Sequence, residues 1–452
     1  NQAATLNFVN NINTSTWNIT SAATINFSAL ATINGDFNTS STALVDFQPT
    51  STGTISNGLN INGGATVNLQ ANRQIGYVYL NRGTLSTNGT TQTWSSFNSQ
   101  PCCDNSMVRV LNLGSSTINC SGSWSIREGQ LLTVNAGTSQ INMTGVNTTF
   151  QIMGNCCSTG SSHAYNNLSF TANSGTVNFS HFYNAAGNAG NSSYNQVTFG
   201  AGANITGDIT VGILNLALNG TYTFQAGRTV TVNTLFNANA TCSGPMTIKS
   251  GTAGTQAIIS KANATVTMNY CNLQDMNFTG GATVTATNTN DQGNNTGVTI
   301  QAGGAAVSRT LYWVGGAGNW NDINRWSLSS GGAAGECPPT SIDNVIYNNS
   351  SFSAVNQTVS LNVPNADCNN MTWSVTTNSP NFTSTSGANN LNIYGNLAMV
   401  STQGTWTTSM NVYFMGTGTK TINSGGKNFG PVFFAGTGTW SNAAAWNTGS
   451  IT

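Results

Sequence analysis

The sequence predicts an all-β chain that folds as a parallel β-helix, a solenoid of short stacked strands. Three observations lead to this fold class: a strand-forming phrase recurs along the chain, turn-forming clusters separate its copies, and charged residues make up only 5% of the composition. The polar remainder is mostly Asn, Thr, Ser and Gly, which disfavour helix, whereas Thr, Val, Ile and Phe suit pleated strands. Tandem β-sandwich domains are the alternative, because they also give short strands between frequent turns.

The recurring phrase is a small residue, Thr, an aliphatic residue, a polar residue that is usually Asn or Thr, and then usually an apolar residue. Its period of two places the aliphatic and the final apolar side chain on one face of a strand. Neighbouring copies begin about 20 residues apart, which is the size of one solenoid coil. The copies stand at 4–8, 23–27, 65–69, 175–179, 228–232, 264–268 and 282–286.

Turn clusters such as NGG, AGAN, NAGTS and GGAT separate the copies. Their Gly and Asn residues supply the positive φ angles that corners need, so we expect a coil of three short strands. Inward Val, Ile, Leu and Phe should stack on their counterparts one coil away. Asn and Thr should form ladders at the corners and on the outer faces, in place of salt bridges.

A change of composition marks a joint between modules. Residues 290–310 are rich in Gly, Asn and Ala and hold hardly any large apolar residue, which is typical of a domain boundary. We therefore predict four segments. They are the C-terminal part of one β-solenoid module at 1–290, an inter-module joint at 291–310, a Trp-rich start of the next module at 311–375, and its coils at 376–452.

Three of the ten tryptophans of the chain, Trp313, Trp320 and Trp326, lie directly after this joint. A solenoid exposes an apolar end, and indoles can cover it while their N–H groups find partners. We expect a structural cap, and an exposed aromatic platform for a glycan is the alternative. Asp322 and Arg325 are expected to pair locally or to cap a turn.

The cysteines suggest disulfides and an oxidising exterior. Cys337 and Cys368 flank the strands after the tryptophans, and Cys242 and Cys271 flank the end of the preceding module. The spacing predicts the pairs Cys337–Cys368 and Cys242–Cys271, each joining adjacent coils. Two insert loops each carry two adjacent cysteines, and we expect pairing between the loops. Together with Cys120 these are five cysteines, so one thiol is left over. The loop cysteines are Cys102, Cys103, Cys156 and Cys157.

The charge pattern disfavours several classes of function. Eleven basic and eleven acidic residues cancel, and no basic run could neutralise a phosphate backbone, so we expect no nucleic-acid partner. No apolar run approaches the roughly 18 residues of a membrane span, so we expect no membrane insertion.

Catalysis and metal binding are not expected either. The acids are dispersed, so we predict no enzyme and no catalytic residues. We also predict no cofactor and no metal, because the cysteines lack zinc-ligand spacing. His163 and His181 are expected in a surface ladder beside Tyr165 and Tyr183.

Several phrases resemble a module repeated in giant secreted surface proteins of Bacteroidota, among them adhesins of gliding motility exported by the type IX system. YWVGGAGNWNDINRWSLSSGG (312–332), CPPTSIDNVIY (337–347), NQTVSLN (356–362) and CNNMTW (368–373) resemble the start of that module, and TCSGPMTIKS (241–250) begins a stretch that resembles its end. The resemblance covers about 240–300 and 311–375. It implies an extracellular, non-enzymatic adhesin or filament at the cell surface.

Together these observations predict a structural repeat segment of a giant cell-surface adhesin or filament, acting as a rigid stalk or fibre. Its expected partners are other copies of itself, neighbouring modules of the same chain and surface polysaccharide. A glycan- or ice-binding β-helix module is one alternative, with the Thr-rich segments 229–234 and 283–289 as candidates. A polysaccharide-active β-helix enzyme is another, with Asp36 and Asp46 as the acids to test.

Overall fold

A computed structural model shows an all-β chain with almost no helix, in which parallel stacked sheets form a β-solenoid of about 18 turns. The predicted fold class is confirmed. The β-sandwich alternative is wrong, because sandwich strands pair antiparallel and these strands stack in parallel. The structure describes residues 4–99, 107–127, 131–153, 163–182, 192–242, 244–301, 308–400, 404–407 and 410–451.

The chain divides into two compact units. The first unit consists of Asn1–Ala240 and Gly244–Gly303, and the second unit consists of Thr241–Ser243 and Gly304–Thr452. The border between Gly303 and Gly304 falls within the Gly-, Asn- and Ala-rich stretch. The sequence gives no signal that a three-residue segment at 241–243 belongs to the second unit.

The first unit is built from short strands, most of them three to nine residues long. They are β1 (Ala4–Phe8), β2 (Ile12–Thr14), β3 (Trp17–Ile19), β4 (Ala23–Phe27), β5 (Ala31–Ile33), β6 (Phe37–Thr39), β7 (Leu44–Phe47), β8 (Thr54–Ile61), β9 (Ala65–Leu69), β10 (Arg73–Leu80), β11 (Gly83–Ser86), β12 (Thr91–Ser99), β13 (Arg109–Asn112), β14 (Thr117–Cys120), β15 (Trp124–Arg127), β16 (Leu132–Asn135), β17 (Gln140–Met143), β18 (Thr149–Met153), β19 (Ala164–Phe170), β20 (Thr176–Phe182), β21 (Ser192–Phe199), β22 (Gly202–Thr206), β23 (Ile209–Asn215), β24 (Thr221–Phe224), β25 (Thr229–Asn237), β26 (Met246–Ser250), β27 (Ala257–Lys261), β28 (Thr265–Asn269), β29 (Cys271–Gln274), β30 (Met276–Thr279), β31 (Thr283–Thr287), β32 (Asn290–Asp291) and β33 (Thr299–Gln301).

The second unit continues the same pattern and adds two short 3₁₀ turns, Ile323–Arg325 and Asn349–Ser351. Its strands are β34 (Thr310–Trp313), β35 (Gly318–Asn319), β36 (Trp326–Ser327), β37 (Asn344–Tyr347), β38 (Thr358–Leu361), β39 (Asn365–Cys368), β40 (Met371–Trp373), β41 (Asn381–Ser384), β42 (Asn390–Ile393), β43 (Leu397–Met399), β44 (Asn411–Phe414), β45 (Thr419–Asn423), β46 (Phe429–Phe434), β47 (Thr439–Asn442) and β48 (Thr448–Ile451). In the described part of the chain, no helix is long and apolar enough to cross a membrane.

The repeated phrase forms strands that stack in register. In the first unit, β1 and β4 hold its first two copies and pair in parallel residue for residue, from Ala4 with Ala23 to Phe8 with Phe27. They begin a seven-stranded sheet in the order β1-β4-β7-β9-β11-β13-β16. The period-two pattern therefore turns the same positions of each coil inward.

The core of the first unit is a continuous stack of inward side chains. The ring of Phe27 lies between those of Phe8 and Phe47, with centroid distances of 5.2 and 4.7 Å and nearly parallel planes. Further along the stack, Trp124 lies between Trp94 and Phe150 at 5.9 and 5.8 Å. Apart from Phe8, which is partly buried and packs against it, these residues belong to one buried cluster that extends from Ile19 to Ala286. Each coil buries the apolar surface of the next, as solenoid repeats do.

Asparagine ladders hold the outer surface together, as predicted. The side-chain amide of Asn38 donates to Oδ1 of Asn18 and the amide of Asn60 donates to Oδ1 of Asn38, both at 2.8 Å. The second unit has a ladder of the same kind. The side-chain amide of Asn390 donates to Oδ1 of Asn365, and the amide of Asn411 donates to Oδ1 of Asn390, both at 3.0 Å. Among the described residues, only four ion pairs form, so neutral ladders supply most polar contacts between coils.

The second unit has three parallel sheets around its own core. Their orders are β36-β34-β37-β40-β43-β45-β47, β35-β38-β41 and β39-β42-β44-β46-β48. Over the described strands, every ladder is parallel except the one between β34 and β36. The short antiparallel strand β36 therefore covers part of the edge that β34 would otherwise present for pairing.

Inward packing should contribute more to stability than the outer ladders, and two neighbouring residues of β13 allow a matched test. Leu111 is fully buried, whereas the amide of Asn112 donates to Ser86 and its carbonyl accepts from Asn135. We expect Leu111→Ala to lower the free energy of unfolding by about 2–5 kcal/mol. Asn112→Ala should lower the free energy of unfolding by about 1 kcal/mol for each side-chain hydrogen bond that it removes, since the partners of Asn112 can bind water instead. Urea unfolding followed by circular dichroism measures both, and equal losses would contradict this ranking.

Candidate functional site

One row of outward-turned side chains runs from coil to coil in the first unit, and two of its members, Ser125 and Ser180, are only 4% and 5% exposed. Period-two alternation turns these residues outward, and the parallel register places each beside its counterpart in the next coil. We call this set the polar row. Its members, in order of stacking, are Asn18, Asn38, Asn60, Tyr79, Asn98, Ser125, Gln151, Ser180 and Thr206.

The last part of the polar row opens into a groove with a volume of about 550 Å³, which we call the larger groove. Its size lies within the range of roughly 300–1,000 Å³ that is typical of small-molecule sites. A second row, in which Asn178 pairs with Thr149 and Asn204, forms one side of it. Among the described residues, those that line this groove are all uncharged. They are Thr149, Gln151, Asn178, Ser180, Asn204, Thr206, Thr223, Phe224, Gln225, Ala226, Gly251 and Thr252.

Several amide groups in the larger groove keep hydrogen-bonding capacity. Gln151 donates to Ser125 at 2.5 Å, and Asn204 donates to Asn178 at 3.1 Å. The Oε1 atom of Gln225 accepts from the backbone N–H of Gly207 at 2.8 Å. The other ends of these amides have no protein partner among the described residues. They are Oε1 of Gln151, Oδ1 of Asn204 and Nε2 of Gln225. The larger groove therefore offers both donors and acceptors.

A smaller groove of about 160 Å³ lies beside the larger one. We call it the tyrosine groove, because Tyr77 and Tyr79 line it and their ring centroids are 6.2 Å apart. Tyr77 is 51% exposed. Ser125, which is 4% exposed, also lines this groove and accepts the hydrogen bond from Gln151 of the larger groove, so one hydrogen bond joins the linings of the two grooves.

The predicted tryptophan cluster packs in the core of the second unit. Trp313, Trp320 and Trp326 are at most 1% exposed, and the ring of Trp326 makes edge contacts with the other two at 5.1 and 5.2 Å. The indole N–H of Trp313 donates to Gly316, and that of Trp326 donates to Trp320. A glycan platform needs an exposed ring face, so this alternative is wrong for these three residues.

The turn beside the tryptophans forms as predicted. Oδ1 of Asp322 accepts from the backbone N–H of Asn324 at 2.9 Å and caps the 3₁₀ turn. Its other carboxylate oxygen lies 3.5 Å from the guanidinium of Arg325. Arg325 also donates to the carbonyl of Gly315. Local pairing and turn capping are both confirmed.

The disulfide pairing predicted from spacing is wrong. The structure has one disulfide among the described residues, between Cys242 and Cys337, with a Cα–Cα distance of 5.8 Å. Cys271 and Cys368 are free and buried. The physical reason is that the segment 241–243 belongs to the second unit, which brings Cys242 to Cys337, whereas Cys271 packs in the core of the first unit.

The remaining cysteines have different outcomes. Cys120 is a free thiol in the core of the first unit, where burial raises its pKa to about 11. Cys102, Cys103, Cys156 and Cys157, which were expected to pair between two loops, lie outside the described residues.

The threonine-rich candidate segments lie on different sheets. Residues 229–234 are part of β25, whereas 283–287 form β31 in the small sheet β28-β31-β33. There Thr283 and Thr285 are in register with Thr265 and Thr267. The two segments therefore do not combine into one threonine array.

The acids suggested for an enzyme lie on different elements. Asp46 is on β7 and accepts a hydrogen bond from Asn68 at 2.5 Å, whereas Asp36 directly precedes β6, in another sheet. Within the described ranges, no group of three His, Cys, Asp or Glu side chains is placed to hold a metal ion.

The two histidines are buried in the first unit, which corrects the expectation of a surface ladder. His163 and His181 are each 4% exposed, and Nε2 of His181 lies 2.9 Å from the hydroxyl of Tyr194. The ring of Tyr194 stacks on that of Tyr165. Tyr183, the other expected neighbour, lies outside the described residues. The region around these histidines is therefore a polar part of the core.

Burial makes these histidines difficult to protonate. It is the main reason that the pKa of His163 falls to about 4, and the positive charge of Arg109 lowers this pKa further. Burial likewise lowers the pKa of His181 to about 3, with His163 as the second cause. Both imidazoles are neutral in the folded protein near neutral pH.

We expect the free energy of unfolding to fall as the pH drops below about 6.5, the pKa of histidine in an unfolded chain. Between that pH and the folded pKa values near 4 and 3, the unfolded chain binds protons that the folded protein does not bind. In this range the free energy of unfolding falls by roughly 1.4 kcal/mol per pH unit for each histidine. Urea unfolding between about pH 7 and about pH 5 measures it. His181→Gln, which keeps a partner for Tyr194, should give a shallower slope, and an unchanged slope would contradict the role of His181.

The polar row was missed at the sequence level. Its members are common residue types in this chain, and they come together only through the strand register. A signal was present in the outward Asn, Ser and Thr positions of successive strands, but the variable length of the coils hid their alignment. For example, hydrogen-bonded partners on neighbouring coils are 17 residues apart at Thr198 and Asn215 and 29 residues apart at Gln140 and Ser169.

Comparisons with protein-family models, with curated proteins and with solved structures found no match to this chain.

Proposed function

We propose that this chain is a structural repeat segment of an extracellular surface adhesin or filament, and that its role is mechanical. The observation that carries the proposal is the in-register stacking of a repeated phrase, as in β1 and β4, where each inward and each outward residue meets its counterpart. Such a repeat grows by adding coils, each about 4.8 Å further along the axis. A stalk or a fibre needs this type of growth.

The polar contacts between coils support a load-bearing role. Neighbouring coils are joined by backbone ladders along their strands, by stacked apolar side chains and by side-chain amides, as at Asn18, Asn38 and Asn60. Since a solenoid coil contacts mainly its neighbours, stability is distributed along the stack. No single coil has to hold the unit together.

Three observations support an extracellular location. The disulfide between Cys242 and Cys337 is a bond that persists in oxidising compartments and is rare in the cytosol. The phrases at 312–332 and 368–373 resemble modules of secreted surface adhesins. The low content of charge leaves few ion pairs for external salt to screen.

Surface labelling of intact cells tests the location and the role together. Antibodies raised against the purified chain should label unpermeabilised cells that produce the parent protein, and brief treatment with external protease should remove the signal. In-frame deletion of the segment from the parent protein should reduce the extension of the labelled layer from the cell, seen by electron microscopy. Labelling only after permeabilisation would contradict the proposal. An antibody against a cytoplasmic protein is the control for cell integrity.

A further inference from the structure

We propose that the two grooves on the polar row form a binding site for a neutral polysaccharide, which lies along the stack of coils between Tyr77 and Thr252. This site adds a ligand to the extracellular segment proposed above, and it is tested on purified protein. Four features of the grooves support this site: the uncharged lining among the described residues, the unused amide groups, the exposed tyrosine and the regular spacing.

The lining of the grooves selects against charged ligands. None of the described residues that line either groove carries a charge. An anionic polymer would leave its carboxylates or sulfates without a cationic partner, at a cost in desolvation. A neutral chain of hydroxyl groups has no such penalty, so the site fits a neutral glycan.

The unused hydrogen-bonding groups match sugar hydroxyls. A hydroxyl group both donates and accepts, and amide side chains offer both functions. In the larger groove, Oε1 of Gln151 and Oδ1 of Asn204 can accept, and Nε2 of Gln225 can donate, since these atoms have no protein partner among the described residues. At Asn38, by contrast, the amide donates to Asn18 and its carbonyl accepts from Asn60. The first ladder is structural, whereas the groove retains groups for a ligand.

Tyr77 supplies the apolar contact that sugar recognition needs. Of the large hydrophobic side chains exposed in the described ranges, only Tyr77 and Phe434 are aromatic. The ring of Tyr77 lies 6.2 Å from that of Tyr79, with planes 29° apart. Together they present an aromatic surface on which the C–H face of a pyranose can pack. Most of the other described aromatic rings of the first unit are buried, so the exposed Tyr77 with the partly buried Tyr79 beside it is an aromatic surface that a sugar can reach.

The spacing of the polar row suits an extended polymer. Residues of successive coils repeat at about 4.8 Å, which is close to the length of one pyranose residue in an extended β-linked chain. Each sugar can therefore meet one coil. Because the row residues stand on strands fixed by backbone ladders, binding orders few side chains and loses little conformational entropy.

Affinity electrophoresis and calorimetry on the purified full chain test the site. Hydroxyethyl cellulose and galactomannan are the neutral probes, and polygalacturonate is the anionic probe. We expect binding to at least one neutral polymer and none to polygalacturonate. Tyr77→Ala and Asn204→Ala should each weaken binding by about tenfold, the change that corresponds to roughly 1.4 kcal/mol.

Asn135→Ala is the matched control. Asn135 donates to Asn112 in an outer ladder of the seven-stranded sheet, away from both grooves, so this variant should bind as the wild type does. Circular dichroism and thermal melting confirm that each variant is folded. Binding to neither neutral probe, preference for polygalacturonate, or equal affinity of the wild type and the groove variants would each overturn the site. None of those results would bear on the proposed mechanical role. The labelling experiment tests that role and does not depend on a glycan.

Discussion

The parallel register between successive coils is the constraint on which the rest of the structure depends. With a side-chain period of two, a slip of one residue would turn every inward side chain of a strand to the outside. The stack of Phe8, Phe27 and Phe47 fixes the register from within, because each large ring has only one place in which it packs on both neighbours. The outer ladders add a second constraint, since Asn38 meets Asn18 and Asn60 only in the same register. Apolar burial and polar pairing therefore specify the same alignment.

This register also explains the unusual composition. Every outward side chain lies about 4.8 Å from its counterpart in the next coil, so a repeated charge would face a like charge at a cost of about 1–4 kcal/mol near 4 Å, depending on the surroundings. Asparagine avoids that cost because its amide donates while its carbonyl accepts, and it can stack on itself without limit. Two of the acids on outer strand positions have amide partners, as Asp46 has Asn68 and Asp367 has Asn392, and others pair with a cation, as Asp208 does with Arg228. The charge content of 5% is thus a consequence of stacking.

The sequence predicts the fold well because its signals are local. Copies of the phrase at 4–8 and 23–27 became paired strands, and the Asp322 turn formed as its residues indicated. The disulfide and the polar row depend on information that spacing does not carry. Cys242 pairs with Cys337 because its segment belongs to the second unit, and the spacing to Cys271 contains no sign of that. Gln151, Ser180 and Thr206 lie beside one another on successive coils, although the segments that connect their strands differ in length. Local patterns determine the strands, and long-range register determines the sites.

A solenoid that uses amide ladders for stability can bind a ligand only where a ladder is interrupted. Where asparagine follows asparagine, as from Asn18 to Asn60, each amide in the interior of the ladder uses both its nitrogen and its oxygen in bonds to its neighbours. Further along the polar row the residue type changes from coil to coil. The row includes Tyr79, then Ser125 and Gln151, and finally Ser180 and Thr206. A serine or threonine is shorter than an amide side chain, so the surface recedes into a groove and the amides beside it keep free ends. The irregularity that makes this face harder to recognise in the sequence is therefore the same feature that leaves amide groups on it without protein partners among the described residues.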